Sequence, residues 1–392
     1  MDRVRLGILG VGNMGTGHAN NVISGKVPEV EITAVCDLKD SALDWAVKNI
    51  GEGVALFKDA EEMMDSGLID AVVICVPHYD HPKYSIMAMK KGIHVMCEKP
   101  AGVYTAQVLE MNKVADECNV VFGIMMNQRT NCIYRKMREI VQSGELGAIR
   151  RTNWLITDWY RPQAYYNSGD WRATWSGEGG GVLLNQCPHN LDLWQWICGM
   201  PKTVSANMYF GKWHDIEVED DVTAFVEYEN GATGTFITTT GDCPGTNRFE
   251  IDLEKGKLVA ENGVLKMWKS KSGQTEPEFS AVNTVPFGRM DFDITEVETD
   301  GENLQHVGVL RSFAGAILRG EKLVADGREG INGLTLSNAM HLSSFTGKKI
   351  ELAEFDHELY YNEIMKRVAT SKRKVGITTD QAPADLSNTY GS

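Results

Sequence analysis

The chain has 392 residues, of which 43% are hydrophobic and 23% are charged, and its formal net charge is -14 at pH 7. This length exceeds what one hydrophobic core usually organises, so we expect two domains, and the composition excludes an intrinsically disordered chain. The acidic balance, with no block rich in lysine and arginine, argues against nucleic acid and anionic membranes as partners.

The N-terminal sequence MDRVRLGILGVG is apolar, but it is short and interrupted by glycine, unlike a signal peptide. No stretch approaches the roughly 20 apolar residues of a membrane span. We therefore expect a cytoplasmic protein. The eight cysteines are scattered singly, without a C-x-x-C pair or zinc-ligand spacing, which predicts reduced thiols and no metal site.

Short apolar strands alternate with helical segments through the first third of the chain. Strands are predicted over residues 5–9, 31–36, 71–76, 94–97 and 120–125, and helices over 14–24, 41–48, 59–66, 81–91 and 106–117. This succession predicts a parallel sheet with right-handed crossovers. We expect a doubly wound α/β Rossmann domain over residues 1–128.

A glycine motif, Gly10-Val-Gly12-Asn-Met-Gly15, follows the first predicted strand and opens the first helix. Glycines there permit a tight turn, a close approach of the backbone to a pyrophosphate and close packing of helix on strand. Asp37 ends the second strand, where a carboxylate accepts hydrogen bonds from ribose hydroxyls and repels a 2′-phosphate. The pattern predicts NAD as the cofactor, although nearby Lys39 weakens the preference over NADP; the alternative is an ordinary turn with a surface aspartate.

The strand predicted over residues 94–97 runs into Glu98-Lys99-Pro100 at the carboxyl edge of the sheet, where open α/β folds bind ligands. A lysine at this edge can donate a hydrogen bond to a substrate alcohol. On position alone, Lys99 is equally well explained as a surface loop residue.

The remainder of the chain has a different pattern, with a helix over residues 133–143 followed by alternating segments. Strands are predicted over residues 150–158, 203–210, 222–228, 232–240, 248–253, 257–261 and 264–268, and late helices over 306–319 and 328–344. The Asn-Gly turns between strands favour antiparallel hairpins. We expect an α+β domain over residues 129–374 with a large, mostly antiparallel sheet, which binds substrate and forms a homo-oligomer. The tail, 375–392, is either disordered or in contact with a neighbouring subunit.

Several motifs together resemble the Gfo/Idh/MocA oxidoreductases, which include inositol dehydrogenases and glucose–fructose oxidoreductase. They are the glycine motif, CVPHYDHP, EKP, SGELG, GGGVLLNQCPHNLD and SSFTGKKIEL, and they span nearly the whole chain. The resemblance implies that Lys99 is catalytic and that His189 is the general acid/base. An imidazole suits that role, because it takes a hydroxyl proton near neutral pH. Without the resemblance, a histidine before an apolar run is more often structural.

One position departs from the family pattern. Inositol dehydrogenases usually carry an aspartate four residues before the histidine, where this chain has Asn185. An amide orients a hydroxyl but cannot accept a proton. We therefore expect Asn185 to bind substrate, and Asp192, three residues after His189, to supply part of the missing role; a different substrate is the alternative.

The cofactor site is expected to extend beyond the glycines and Asp37. The residues assigned to it are Asn13, Met14, Pro77, His78, His81, Glu98 and Lys99. His78 is expected to contact the cofactor or the substrate. For His81 we favour the alternative that it simply begins the next helix.

Six of the nine tryptophans lie around His189, namely Trp154, Trp159, Trp171, Trp175, Trp194 and Trp196. Flat aromatic faces suit a sugar ring or an aromatic aglycone, and polar neighbours bind hydroxyls. Tyr160, Arg161, Arg172 and Trp175 are the predicted substrate contacts. Core packing or a subunit interface is the competing explanation, and we expect about half of the tryptophans to be structural.

These features predict reversible oxidation of a secondary ring alcohol to a ketone on a sugar, glycoside or inositol. His189 would move the proton and Lys99 would polarise the oxygen, while nicotinamide takes the hydride. Two alternatives remain: an enzyme that retains NAD and cleaves a glycosidic bond through transient oxidation, and a non-catalytic sensor that binds NAD.

Overall fold

The structure is a computed structural model that describes residues 2–372. Its N-terminal part contains a six-stranded sheet in the order β3-β2-β1-β4-β5-β6, with every pair parallel. The strands are β1 (Val4–Leu9), β2 (Val30–Cys36), β3 (Ala55–Phe57), β4 (Ala71–Ile74), β5 (His94–Cys97) and β6 (Phe122–Ile124). The helices between them are α1 (Asn13–Ile23), α2 (Asp40–Ile50), α3 (Ala60–Asp65), α4 (His81–Lys90) and α5 (Thr105–Glu117).

This order confirms the predicted doubly wound parallel sheet. Strands β1 and β4 are fully or almost fully buried, as expected for parallel strands covered by helices on both faces. The strand order reverses between β1 and β4, and a ligand cleft forms at such a point outside the carboxyl ends of the strands. The glycine motif, which follows β1, therefore lies at the cleft.

The second sheet has nine strands in the order β14-β13-β12-β11-β7-β10-β9-β8-β15. The strands are β7 (Ile149–Ile156), β8 (Thr203–Phe210), β9 (Glu219–Glu227), β10 (Thr233–Thr239), β11 (Asn247–Leu253), β12 (Gly256–Glu261), β13 (Val264–Ser270), β14 (Phe292–Glu296) and β15 (Ile350–Glu351). All pairs are antiparallel except β7 with β10, which confirms the predicted mostly antiparallel sheet.

The second part of the chain contains seven helices of its own, and α6, α8 and α11 among them pack against this sheet. The seven are α6 (Cys132–Ser143), α7 (Gln163–Tyr166), α8 (Pro188–Cys198), α9 (Glu276–Val282), α10 (Gln305–Arg319), α11 (Gly330–Thr346) and α12 (His357–Thr370). Trp194 of α8 stacks on Phe236 of β10, and Trp154 of β7 stacks on Phe249 of β11 with ring centroids 4.1 Å apart. These rings lie in the main core, because alternate residues of each strand point toward the helices.

Helix α10 packs against the first sheet although it lies late in the chain. Val309, Leu310 and Phe313 are buried in the same cluster as Leu6 and Ile8 of β1. Its second residue, His306, lies beside His18 of α1, with ring centroids 5.5 Å apart. The core of the first sheet is thus completed by residues far beyond 128.

Within residues 2–372, none of the helices is both long enough and apolar enough to cross a membrane. Over the same range, no group of three or more histidine, cysteine, aspartate or glutamate side chains is placed to hold a metal ion. The predicted tail, 375–392, lies outside the described residues.

Candidate active site

The glycine motif forms a tight turn between β1 and α1. Gly10 has a φ of +90°, and a Cβ there would lie 2.5 Å from the carbonyl oxygen of Cys75. A Cβ on Gly15 would overlap the carbonyl oxygen of Gly10, so this glycine permits the close packing of α1 on β1. Gly12, in contrast, faces open space, with no heavy atom within 4 Å of the position of a Cβ. The turn therefore leaves room for a pyrophosphate at the N-terminus of α1, next to Asn13 and Met14.

Asp37 follows β2 and points at this turn. Its Oδ2 accepts a hydrogen bond from the backbone N–H of Val11 at 2.8 Å, and its Oδ1 accepts one from the backbone N–H of Lys39 at 2.9 Å. Each carboxylate oxygen has a further lone pair for a ribose hydroxyl. The geometry fits an NAD-type adenosine ribose.

Lys99 is positioned by residues on both sides of β5. Glu98 Oε1 contacts Nε2 of His18 at 2.6 Å, and Glu98 Oε2 accepts a hydrogen bond from the backbone N–H of Lys99 at 3.1 Å. His81 begins α4, and its two ring nitrogens lie 2.6 and 2.8 Å from the carbonyl oxygens of Pro100 and Val76. His81 thus contacts the backbone on both sides of the first-sheet edge near Lys99, in keeping with the alternative favoured for it. Pro77, four residues before His81, is exposed.

The ammonium group of Lys99 reaches residues 176–192, which we call the glycine-rich segment. Lys99 Nζ donates a hydrogen bond to the backbone carbonyl oxygen of Asn185 at 2.9 Å. Burial lowers the pKa of Lys99, the carboxylates of Glu98 and Glu178 oppose that shift, and Arg172 and Arg161 add to it. Lys99 is therefore an ammonium group with a lowered pKa at the carboxyl edge of the first sheet.

His189 is the second residue of α8 and is buried. Burial lowers the pKa of His189 well below its ordinary value, and the positive charge of Lys99 lowers it further. The imidazole is therefore neutral at pH 7 and can accept a proton. Lys99 and His189 lie close enough to interact electrostatically, so the structure brings the two predicted catalytic residues together.

A buried glutamate, Glu178, lies between Asn185 and the arginines. Asn185 Nδ2 donates a hydrogen bond to Glu178 Oε1, and the backbone N–H of Ala173 donates one to Oε2 at 2.6 Å. Arg172 Nη1 lies 4.0 Å from Glu178 Oε1. Burial raises the pKa of Glu178, while Arg172 and the hydrogen bonds oppose the shift.

Polar and aromatic groups surround this carboxylate. Arg172 Nη1 donates a hydrogen bond to Tyr165 Oη at 2.9 Å, and the guanidinium packs over the rings of Tyr165 and Trp171. The ring of His78 lies 6.2 Å from that of Trp171, and its Nδ1 lies 3.1 Å from the carbonyl oxygen of Glu178. Arg161 packs over the Tyr165 ring from another side.

Two of the predicted substrate contacts, Asp192 and Trp175, are engaged by other residues of the fold. Both carboxylate oxygens of Asp192 are bound by Arg129, at 2.7 Å each, so Asp192 anchors α8 instead of facing His189 or a substrate. Trp175 packs in the core against Phe210 and Phe345. Tyr160 is 43% exposed, and its carbonyl oxygen accepts a hydrogen bond from Arg161.

The tryptophans divide in a similar way. Trp154, Trp175 and Trp194 are buried in the core, and the ring of Trp196 lies under the guanidinium groups of Arg138 and Arg129. Trp171 and Trp159 contact the arginines near Lys99. Half of the six are buried structural residues, and the aromatic surface available to a ligand is smaller than their number suggests.

Sequence reasoning missed Glu178, Gln186 and the pair of His18 with Glu98. Glu178 stands among glycines in SGEGGG. Because no apolar periodicity surrounds it, the sequence does not show that this glutamate is buried. The same segment packs closely on the start of β9 at Gly181, where a Cβ would overlap the backbone carbonyl oxygen of Glu219. Glu219 in turn accepts hydrogen bonds from the N–H groups of Gly181 and Leu183, which fixes the glycine-rich segment.

Comparison with known proteins agrees with this geometry. Residues 4–126 match the family model described as oxidoreductase family, NAD-binding Rossmann fold, and residues 134–259 match the one described as GFO/IDH/MocA C-terminal domain. Together the two matched segments cover more than half of the chain.

Three relatives illustrate the range of similarity. Myo-inositol 2-dehydrogenase of Thermotoga maritima is 25% identical over 66% of this chain and 75% of its own length. D-glucoside 3-dehydrogenase of Escherichia coli is 25% identical over 89% of this chain and 97% of its own length. The crystal structure of the WlbA dehydrogenase from Bordetella pertussis, in complex with NADH and UDP-GlcNAcA, has a TM-score of 0.75 at 25% identity and covers 90% of this chain and 100% of that one.

Proposed function

The chain belongs to the GFO/IDH/MocA family of oxidoreductases and is an NAD-dependent enzyme of that family, and from this premise we propose that it interconverts a secondary ring alcohol and a ketone on a sugar, glycoside or inositol. The observation that carries the proposal is the contact between Lys99 Nζ and the carbonyl oxygen of Asn185. It joins the catalytic edge of the first sheet to the segment that holds His189.

Lys99 and His189 have complementary roles in this proposal. The ammonium group of Lys99 donates a hydrogen bond to the oxygen of the reacting carbon and stabilises negative charge there. Neutral His189 accepts the hydroxyl proton as the alcohol is oxidised, and returns it in the reverse direction. When bound, NAD supplies the acceptor for the hydride.

The substrate class follows from the groups beside Lys99. Arg172, Tyr165 and Gln186 form a hydrogen-bonded set, and Trp171 adds an apolar face. A small number of such polar groups beside one aromatic ring suits a polyhydroxylated ring. The inositol and glucoside dehydrogenases among the relatives point to the same class.

The cofactor residues are part of the same proposal. Gly10, Gly12 and Gly15 bind the pyrophosphate together with the backbone N–H groups of Asn13 and Met14. Asp37 binds the adenosine ribose and disfavours the 2′-phosphate of NADP. His78, Pro77 and Glu98 border the nicotinamide end, because they follow β4 and β5 at the carboxyl edge.

The experiment is turnover of a substrate panel with NAD by the full-length protein. Inositols, free pyranoses and methyl and aryl glycosides are each mixed with enzyme and NAD, and the absorbance of NADH is followed. We expect NADH with one of these classes, and release of an aryl aglycone without net NADH would favour the glycoside-cleaving alternative. No NADH, no aglycone release and no exchange of deuterium between substrates would contradict the proposal.

We also propose that the chain forms a homo-oligomer through the open face of the second sheet. Tyr209, Phe225 and Trp213 are 55%, 43% and 52% exposed on β8, on β9 and between them. Exposed aromatic side chains of this density mark interaction surfaces. Sedimentation equilibrium tests the proposal: a monomer at micromolar concentration would contradict it, and Phe225→Lys should weaken an observed oligomer.

A further inference from the structure

Glu178 combines three properties that its neighbours do not share. It is only 2% exposed, it lies inside the glycine-rich segment, and it contacts a residue that also contacts Lys99. A buried carboxylate is costly unless each oxygen is hydrogen-bonded. Here Ala173 N–H satisfies Oε2, and the Asn185 amide satisfies Oε1.

The carboxylate determines which way the Asn185 side chain is turned. An ionised carboxylate only accepts hydrogen bonds, so the group facing it is the NH₂ of Asn185 and not its carbonyl oxygen. Asn185 Oδ1 is therefore turned away from Glu178, and it is available to accept a hydrogen bond from a hydroxyl. The backbone of the same residue accepts the hydrogen bond from Lys99.

Glu178 also adds a negative charge near Lys99. The charged and titratable groups that act on or respond to the lysine are Glu98, Glu178, Arg161, Arg172, His78, His81, Cys187, His189 and His306. Of the two carboxylates, Glu98 is already engaged by His18 and by the backbone of Lys99. Glu178 is the other carboxylate, and it belongs to the glycine-rich segment that Lys99 contacts through the backbone of Asn185.

We propose that Glu178 is a positioning residue of the active site, which orients the Asn185 amide toward a substrate hydroxyl and supplies the negative charge that faces Lys99 across Asn185. This inference rests on the proposed function, since it assigns Glu178 to the reaction of Lys99. Glu178 itself acts through Asn185 and Lys99 and touches no reacting atom.

The hydrogen bond between Asn185 and Glu178 can be tested by exchanging the amide and the carboxylate between the two positions, which conserves the net charge. In Glu178→Gln the amide offers only one acceptor, so either Ala173 N–H or Asn185 Nδ2 loses its partner. Adding Asn185→Asp restores the set, because the oxygen of the introduced glutamine can accept from Ala173 while its NH₂ group donates to the introduced carboxylate. The exchange keeps the net charge and moves the carboxylate to the other side of the same hydrogen bond.

The experiment measures kcat and KM against pH for wild type, E178Q, N185D and the double variant, on the substrate that wild type turns over best. We expect E178Q to lower kcat/KM about tenfold or more and the double variant to regain at least about fivefold of that loss, since contacting residues couple strongly. The basic limb of the profile should move to lower pH in E178Q, because a negative charge near Lys99 is lost. NADH affinity should stay within about twofold of wild type.

Glu217→Gln is the matched control. Like Glu178, Glu217 accepts a hydrogen bond from a backbone N–H group, that of Trp175, just before the glycine-rich segment. Unlike Glu178, it makes no hydrogen bond with Asn185. It should leave the pH profile in place. The proposal is overturned if E178Q keeps wild-type kcat/KM and pH profile, if E217Q reproduces its loss, or if the double variant regains nothing.

A second measurement keeps the test independent of turnover. The rate at which acetic anhydride modifies Lys99 is followed against pH by mass spectrometry of the peptide that contains it. The midpoint should fall in E178Q and return toward wild type in the double variant, and an unmoved midpoint overturns the proposal. If wild type oxidises no member of the panel, the proposed function fails, while this midpoint still decides the role of Glu178.

Discussion

Nε2 of His18 lies 2.6 Å from Oε1 of Glu98, and both side chains are buried. Burial alone would raise the pKa of Glu98, but the hydrogen bond with His18 and neighbouring groups that include Lys99 lower it to about 2. The other oxygen of Glu98 accepts from the backbone N–H of Lys99. Helix α1, which follows the glycine turn, is thereby linked to the backbone of Lys99.

Replacing Lys99 with alanine should remove activity and spare the cofactor site. We expect kcat to fall by about 10²-fold or more, because the oxygen of the reacting carbon loses its charged donor. The Kd for NADH, measured by fluorescence, should change less than about threefold, since the glycine turn and Asp37 are untouched. Lys113→Ala, on the exposed side of α5, is the control and should be neutral. A lost NADH signal in K99A would mean that Lys99 mainly supports the cofactor.

The pH profile should report a neutral His189. Burial and then Lys99 hold the pKa of His189 well below 6.5, so the proton-accepting form persists below that pH. The acid limb of kcat/KM for alcohol oxidation should therefore lie below pH 6.5. His189→Asn should lower kcat about 10²- to 10⁴-fold and abolish that limb. His357→Asn, on α12, serves as control; an acid limb above pH 6.5, or one that survives in H189N, would exclude His189 as the base.

Asp37→Ser should weaken the discrimination between NAD and NADP. Removal of the carboxylate takes away acceptors for ribose hydroxyls and the repulsion of a 2′-phosphate. We expect the Kd for NADH to rise about tenfold, as for the loss of one charged hydrogen bond, and the Kd for NADPH to fall. Fluorescence titrations with both cofactors test this, with Asp40→Asn as a nearby control. An unchanged ratio of the two Kd values would remove Asp37 from cofactor selection.

Asp192→Asn should mainly destabilise the fold. Arg129 and Asp192 form a buried pair with side-chain exposures of 1% and 2%, and breaking such a pair typically costs about 3–5 kcal/mol of unfolding free energy. Chemical denaturation should show this loss, while Asp116→Asn, which breaks a surface pair with Arg328, should cost less than about 1 kcal/mol. A stable D192N enzyme with reduced kcat would restore the substrate role predicted from the sequence.

The regular elements were largely predictable because hydrophobic periodicity is a local signal. The strands β5 and β8 agree with prediction at both ends, and α6 and α10 differ by one residue at the start. The strands that were missed are short or peripheral: β3 has three residues, β15 has two, and all of β14 is exposed. Strands with little buried surface show no apolar alternation to detect.

Residues of the candidate site were predictable only where they stand in a sequence motif. Lys99 and His189 stand in recognisable segments, and the structure brings them together. The pairing of Asp192 with Arg129 was not predictable, because Arg129 comes from 63 residues earlier and sequence spacing does not show such a contact. Glu178 was overlooked because its role depends on the side chain of Asn185, a relationship that appears only when the glycine-rich segment is folded.

Helix α10 has a consequence for protein engineering. A chimaera that joined residues 1–128 to the second half of a relative would exchange Val309, Leu310 and Phe313, which pack on β1, and also His306 beside His18. In such a hybrid, β1 would pack against a helix from the relative, even though the glycine turn was intact. We therefore expect a chimaera to keep an intact first sheet only if the recipient's own Gln305–Arg319 segment is retained.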